Sequence, residues 1–158
     1  MANTQAMCTS FMGELMTATH NFGVAPTRGT SAVDSFKAAL YLASATMNAS
    51  ATAYTATGEV TGTNYTAGGV AVTMGTVPTA TNSSATAGVA FVTPSASITY
   101  TTVTLSTAFD AVLLYNSTQS NKAVSVHTFG SQTITAGTFT LTMPSNTTTT
   151  ALLRLATT

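Results

Sequence analysis

Charge is what this chain has least of. Of 158 residues, four are Lys or Arg and four are Asp or Glu, so 5% are charged and the net charge is zero. An ordinary soluble domain carries roughly a quarter. Four dispersed cations cannot supply the basic field that displaces counterions from nucleic acid. Charge-driven disorder needs a high net charge and few apolar residues, and here 44% are hydrophobic. So few titratable groups also speak against a multi-residue acid–base enzyme. Cys8 is the sole cysteine, so no intramolecular disulfide forms, and Trp is missing. The longest strictly apolar runs span only a few residues, too short to cross a membrane. Residues 1–20 hold no Lys or Arg, so no secretory leader is expected. A neutral chain lacks the repulsion that keeps molecules apart in solution, which suits a component of an assembly.

Thr and Ala fill the space that charge leaves, with 37 and 26 copies. Met7, Phe11, Leu15 and Ala18 recur at helical spacing, with Thr9 or Ser10 as cap and Glu14 near the start. This predicts a short amphipathic helix over residues 10–19. Met1, Met7, Met12 and Met16 make it Met-rich, and methionine adapts to irregular contact surfaces. Two readings stand: a helix packed on its own domain, or an arm docking on a neighbouring subunit. In the second, Met7, Phe11, Met12, Leu15 and Met16 are the partner contacts. Residues 21–31, with Gly23, Pro26 and Gly29, read as a linker. The expected organisation is a helix and arm over 1–33 and a β domain over 34–158.

From Asp34 the period becomes two. Phe36, Ala38, Leu40 and Leu42 alternate with Lys37, Ala39 and Tyr41, a strand signature. Residues 44–68 read as a long connection with short extended pieces around 52–60, and 79–87 as a polar loop. Further strands are expected over 70–77, 88–93, 98–105, 108–115, 123–129, 133–135, 138–143 and 151–156. The 108–115 stretch is the most apolar and should be central. Ala136-Gly137 is expected to form a turn or bulge. Thr and Val dominate, both stiff at χ1 and suited to a pleated surface. The fold class predicted is all-β, a jelly-roll-like sandwich of about eight or nine strands. Thr66 to Met74 echoes Thr135 to Met143, each a Gly-containing turn leading into a strand that ends in Thr-Met.

The ionisable side chains are Glu14, Asp34, Glu59, Asp110, His20, His127, Arg28, Lys37, Lys122 and Arg154. No zincin, paired-cysteine or phosphate-loop motif occurs, nor a nucleophile elbow. No catalytic, cofactor or metal residues are therefore assigned, and the chain reads as a non-enzyme. A Ser–His–Asp set remains an arrangement only the fold can bring together. His127 reads as a half-exposed strand residue sharing a face with Ser125. His20 reads as a partner of the helix C-terminus, and Asp110 as pairing with Lys122 or Arg154. Five Asn-x-Ser/Thr sequons, at Asn48, Asn64, Asn82, Asn116 and Asn146, mark turns.

Several segments also share a resemblance. They are Phe36-Lys-Ala-Ala-Leu-Tyr-Leu-Ala-Ser44, Thr52 to Gly69 around Gly58-Glu-Val-Thr-Gly62, Ala111 to Val124, and Thr135-Ala-Gly-Thr-Phe-Thr-Leu-Thr-Met-Pro144. In this order they resemble small virion structural proteins of tailed bacteriophages, over residues 10–156. The resemblance implies a capsid decoration, or cement, protein that clamps adjacent major-capsid subunits. It implies the major capsid protein as partner, self-association, and a place on the capsid surface after synthesis in the host cytoplasm. Neither nucleic acid nor membrane is an expected partner. The alternative is a tail-tip or fibre-associated recognition module, using loops 44–68 and 79–87 with Tyr54 and Tyr65 to hold a glycan.

Overall fold

The computed structural model describes residues 2–16, 19–22, 33–74, 78–81 and 88–156. Most of the expected linker 21–31, and most of the loop 79–87, lie outside these residues. Among the described residues the chain is all-β apart from one eight-residue helix. Its elements are β1 (Ala6–Met7), α1 (Thr9–Met16), β2 (Phe36–Leu42), β3 (Val70–Val72), β4 (Thr79–Ala80), β5 (Val89–Val92), β6 (Ile98–Asn116), β7 (Lys122–Leu141) and β8 (Leu153–Ala156). Among the described residues no helix is long and apolar enough to cross a membrane.

The strands form two antiparallel sheets, one of five strands ordered β1-β7-β6-β2-β3 and one of three ordered β4-β5-β8. This is the predicted sandwich. The jelly-roll connectivity is not established by the strand order, because the two longest strands are consecutive in sequence and adjacent in one sheet. One buried cluster joins the sheets, with Phe36, Leu40 and Leu114 from the large one and Val92 and Leu153 from the small one.

β6 lies between β7 and β2, and its 109–116 half is covered on both edges. Residues 111–116 are buried without alternation, as expected of a strand covered on both faces. One face of the sheet meets the small sheet and the 143–153 segment. The other is roofed by residues 52–68, where Tyr54 stacks on Tyr115 at 5.0 Å and the Tyr41 hydroxyl donates to the Thr55 carbonyl. The roof is stitched on by bridges Tyr41↔Glu59, Ala53↔Lys122 and Thr63↔Thr104.

Two stretches predicted as separate strands are continuous. Residues 98–105 and 108–115 form the single 19-residue β6. Residues 123–129, 133–135 and 138–143 merge into the 20-residue β7. What reads as a break is a set of register shifts. Tyr100 pairs with Phe139 but Val103 with Gly137, so β6 holds an extra residue there, next to Thr102 at φ 54°. Val103 pairs with Gly137 but Leu105 with Ile134, which places a bulge in β7 at Ala136, φ 46°. Bulges bend a strand without ending it.

The helix begins one residue earlier than predicted and is described to Met16; residues 17 and 18 of the predicted span lie outside the described residues. It packs on its own domain: Cys8 is fully buried, Phe11 is 2% exposed, and Cys8 N–H donates to the Val124 carbonyl. Phe11 meets Phe22 edge-on at 5.8 Å, and Phe22 stacks on Phe36 at 4.5 Å. Cys8, Phe11 and Phe22 thus contribute to the same core as the strands. Truncating Phe11 removes a full aromatic side chain from that core. Phe11→Ala is expected to lose about 3–5 kcal/mol of stability in urea unfolding, and Phe11→Leu a small part of that.

Candidate functional site

The most concentrated polar chemistry lies under the 52–68 roof. Glu59 is buried, and its Oε2 accepts from the Tyr54 hydroxyl at 2.6 Å. Its Oε1 accepts from the Tyr65 hydroxyl at 2.8 Å and from the Gly68 N–H at 2.7 Å. The Tyr65 oxygen in turn accepts the Leu40 N–H at 3.0 Å. Tyr115 donates to the Gly68 carbonyl and Tyr100 to the Ala38 carbonyl, both at 2.8 Å. With Tyr41 on Thr55, all five tyrosines of the chain take part. Local backbone permits it. Gly58, Gly68 and Gly69 have positive φ, and a Cβ on Gly69 would fall 1.7 Å from the Ala38 carbonyl oxygen. Only glycine lets the loop come this close to β2.

The phenols pay for this packing in acidity. Burial pushes Tyr65, Tyr100 and Tyr41 well above the ordinary tyrosine value, and the Glu59 charge adds to it. Tyr54 is pushed up to about 12, by burial first and then by its hydrogen bond to Glu59. They serve as fixed donors, and nothing in the arrangement readies one as a base. Tyr54 and Tyr65, the aromatics named for holding a glycan, both have their hydroxyls bonded inside the chain.

A second network ties the N-terminus to the sheet. Asp34, also buried, accepts from Asn21 N–H at 2.8 Å, Asn116 Nδ2 at 2.7 Å and Gln119 Nε2 at 3.1 Å. Asn116 Nδ2 also lies 3.1 Å from His20 Nδ1, and His20 Nε2 lies 2.7 Å from Glu14 Oε2. The donor inventory therefore assigns the proton to His20 Nε2, with Nδ1 accepting. Lys122 closes the chain on Glu14 Oε1. Burial pushes the Glu14 carboxyl up, but the bonds from Lys122 and His20 together prevail and hold it below the usual range. His20 was expected at the helix terminus; it links the helix acid to β6.

The remaining candidates separate. Ser125 Oγ is 2.8 Å from His127 Nε2, beside a cleft of about 300 Å³ that Arg154 also lines. Burial holds the His127 imidazole down at about 4. Asp110 is not the third member of a set with them. It accepts from Asn3 Nδ2, which also corrects the expected pairing with Lys122 or Arg154. Among the described residues, no group of three or more His, Cys, Asp or Glu side chains is placed to hold a metal ion. Burial and the Glu14 charge push the Cys8 thiol up to about 11.

Of the predicted partner contacts, Phe11 is taken up by the chain's own core, Met7 and Leu15 are half-buried, and Met12 is 49% exposed. Met16 ends the helix, with its side chain outside the described residues. Met7, Phe11 and Leu15 instead line an apolar cleft of about 110 Å³ against Phe91 and Leu153 of the small sheet. Sequence reasoning missed the Glu59 and Asp34 networks. The available signal was Glu59 as the one acid between residues 35 and 109, with tyrosines five before and six after it.

These features define an all-β, two-sheet chain whose four carboxylates are each bonded within the protein. Compared with known protein families, curated proteins and solved structures, the chain has no match.

The raised phenols fix the alkaline behaviour. Their folded values lie above the ordinary 10.0, so between about 10 and 12 the unfolded chain releases protons first and stability falls as pH rises. Stability is fully present below pH 10. Phenolate absorbance is expected to stay low past pH 10 and then rise together with the loss of circular dichroism. A phenolate signal growing near pH 10 in the folded protein would show the tyrosines to be solvated.

Proposed function

We propose that the protein is a structural virion component of a tailed bacteriophage, binding and stabilising the capsid shell as a decoration protein. The observation that carries this reading is where the charge goes. Glu14, Asp34, Glu59 and Asp110 all serve internal hydrogen bonds, so the acids hold the fold together and leave an outside rich in Thr, Ser, Ala and Asn, with few charges such as Arg154. Such a surface suits lateral contact with repeated neighbours, where many weak contacts sum through multivalency. The sequence resemblance to small phage virion proteins points the same way. The major capsid protein is the partner this reading names, and the capsid surface the location. Exposed Met12 is the remaining described candidate on α1 for contact with the shell.

The test is stoichiometry. Quantitative mass spectrometry of purified virions should find the chain in hundreds of copies, in a fixed ratio to the major capsid protein. A handful of copies per particle would point to the tail and overturn the reading.

A further inference from the structure

The large sheet has two outer edges, and the chain covers part of each itself. On the β2 side, β3 pairs with residues 36–38, and further along Val60 N–H donates to Leu40 and Leu42 N–H to Gly58. On the β7 side, Ala53 pairs with Lys122, and β1 pairs with Ser125 and Val126. Beyond that point the covering stops. From residue 127 to residue 141, β7 bonds to β6 on one side, and among the described residues no strand lies on the other. Phe129 and Phe139 turn their rings onto Tyr100 and Phe109 of β6, and His127 meets Ser125 on its own strand. Gln132 Nε2 reaches the Gly130 carbonyl on its own strand, and Ala136 N–H turns inward to Thr104 Oγ1. A Cβ on Gly130 would meet nothing within 4 Å, so the face of the sheet is also open at that point.

An open ladder of N–H and C=O groups accepts an extended strand, and proteins that stay single guard such edges with Lys, Pro or inward charge. This edge has none: no Asp, Glu, Lys, Arg or Pro occurs between Ala123 and Met143. We infer that the 127–141 edge of β7 pairs with the same edge of a second copy of this chain, antiparallel about a twofold axis.

Three observations favour a second copy as the occupant. Two uncharged edges meet without repulsion or stranded charge, and the chain as a whole is neutral. Twofold pairing is self-matching, because each residue finds its counterpart in both directions. Thr133, Thr135, Thr138 and Thr140 are exposed along the edge, and cross-strand Thr pairs are favourable. The bulge at Ala136 limits the flat run, and a twofold contact uses up the edge, so the product is a closed dimer.

The inference concerns the purified chain alone and does not depend on the virion reading; the copy number in virions can fail while the dimer stands, and the reverse. Light scattering after size exclusion, from ~1 µM to ~100 µM, brackets a micromolar contact. The wild type should run as a dimer at the upper end. Gln132→Lys with Thr138→Lys, two exposed positions on the edge, should run as a folded monomer. In case that variant fails to fold, hydrogen exchange on the wild type gives the second readout. Amides within 127–141 should slow about tenfold or more with concentration, while those of β2 stay constant. A wild-type monomer throughout, a dimer untouched by the two lysines, or exchange in 127–141 independent of concentration would overturn it.

Discussion

The Glu59 carboxylate is buried, and no ion pair reaches it among the described residues. A charge removed from water must be met by donors, or it destabilises the fold by several kcal/mol. Here three donors meet it, two phenols and one backbone N–H. The consequences spread through the molecule. Tyr54 is held where it stacks on Tyr115, and Tyr65 where it stacks on Tyr100. Gly68 is drawn in, and its carbonyl then takes the Tyr115 hydroxyl. The 52–68 segment, poor in large aliphatic side chains, is fastened to the central strands by a polar centre. Without it, the face of the sheet carrying Tyr41 and Tyr115 would lie bare.

The Asp34 network does the same at the other end. A helix of eight residues is marginal by itself, and α1 is anchored through Glu14 to Lys122 and through His20 to Asn116. Asn116 meanwhile accepts the Thr118 and Gln119 N–H groups and so shapes the β6–β7 turn. A chain with few charges has placed Glu14, Asp34 and Asp110 where each fixes a long-range contact, and Glu59 where it fastens a local segment onto the sheet. That leaves the outer surface poor in charge, with an uncovered strand edge on one side.

The local elements were legible where periodicity is undisturbed. Phe36 to Leu42 was readable from alternation, and 108–115 from its continuous apolar run. The unity of β6 and β7 was not. A bulge adds residues that break the period of two, and in a sequence that break looks like the end of a strand, as at Ala136-Gly137. The helix was legible, and its choice between its own domain and a neighbour was not, since Phe11 packs against Phe22 and so indirectly against Phe36, twenty-five residues away. Neither buried network was legible either. Asp34 and Asn116 are 82 residues apart, and only the sheet register brings them together.

On the proposed function, contact with the shell is made mainly by uncharged side chains, since the chain has few charges and its four acids are bonded within the protein. Binding of the purified protein to phage shells stripped of it, titrated across ionic strength, tests this most directly. The account predicts an affinity that changes little from ~50 mM to ~500 mM salt, because contacts between neutral groups are not screened. A steep loss of affinity with salt, as charge-paired interfaces show, would contradict it.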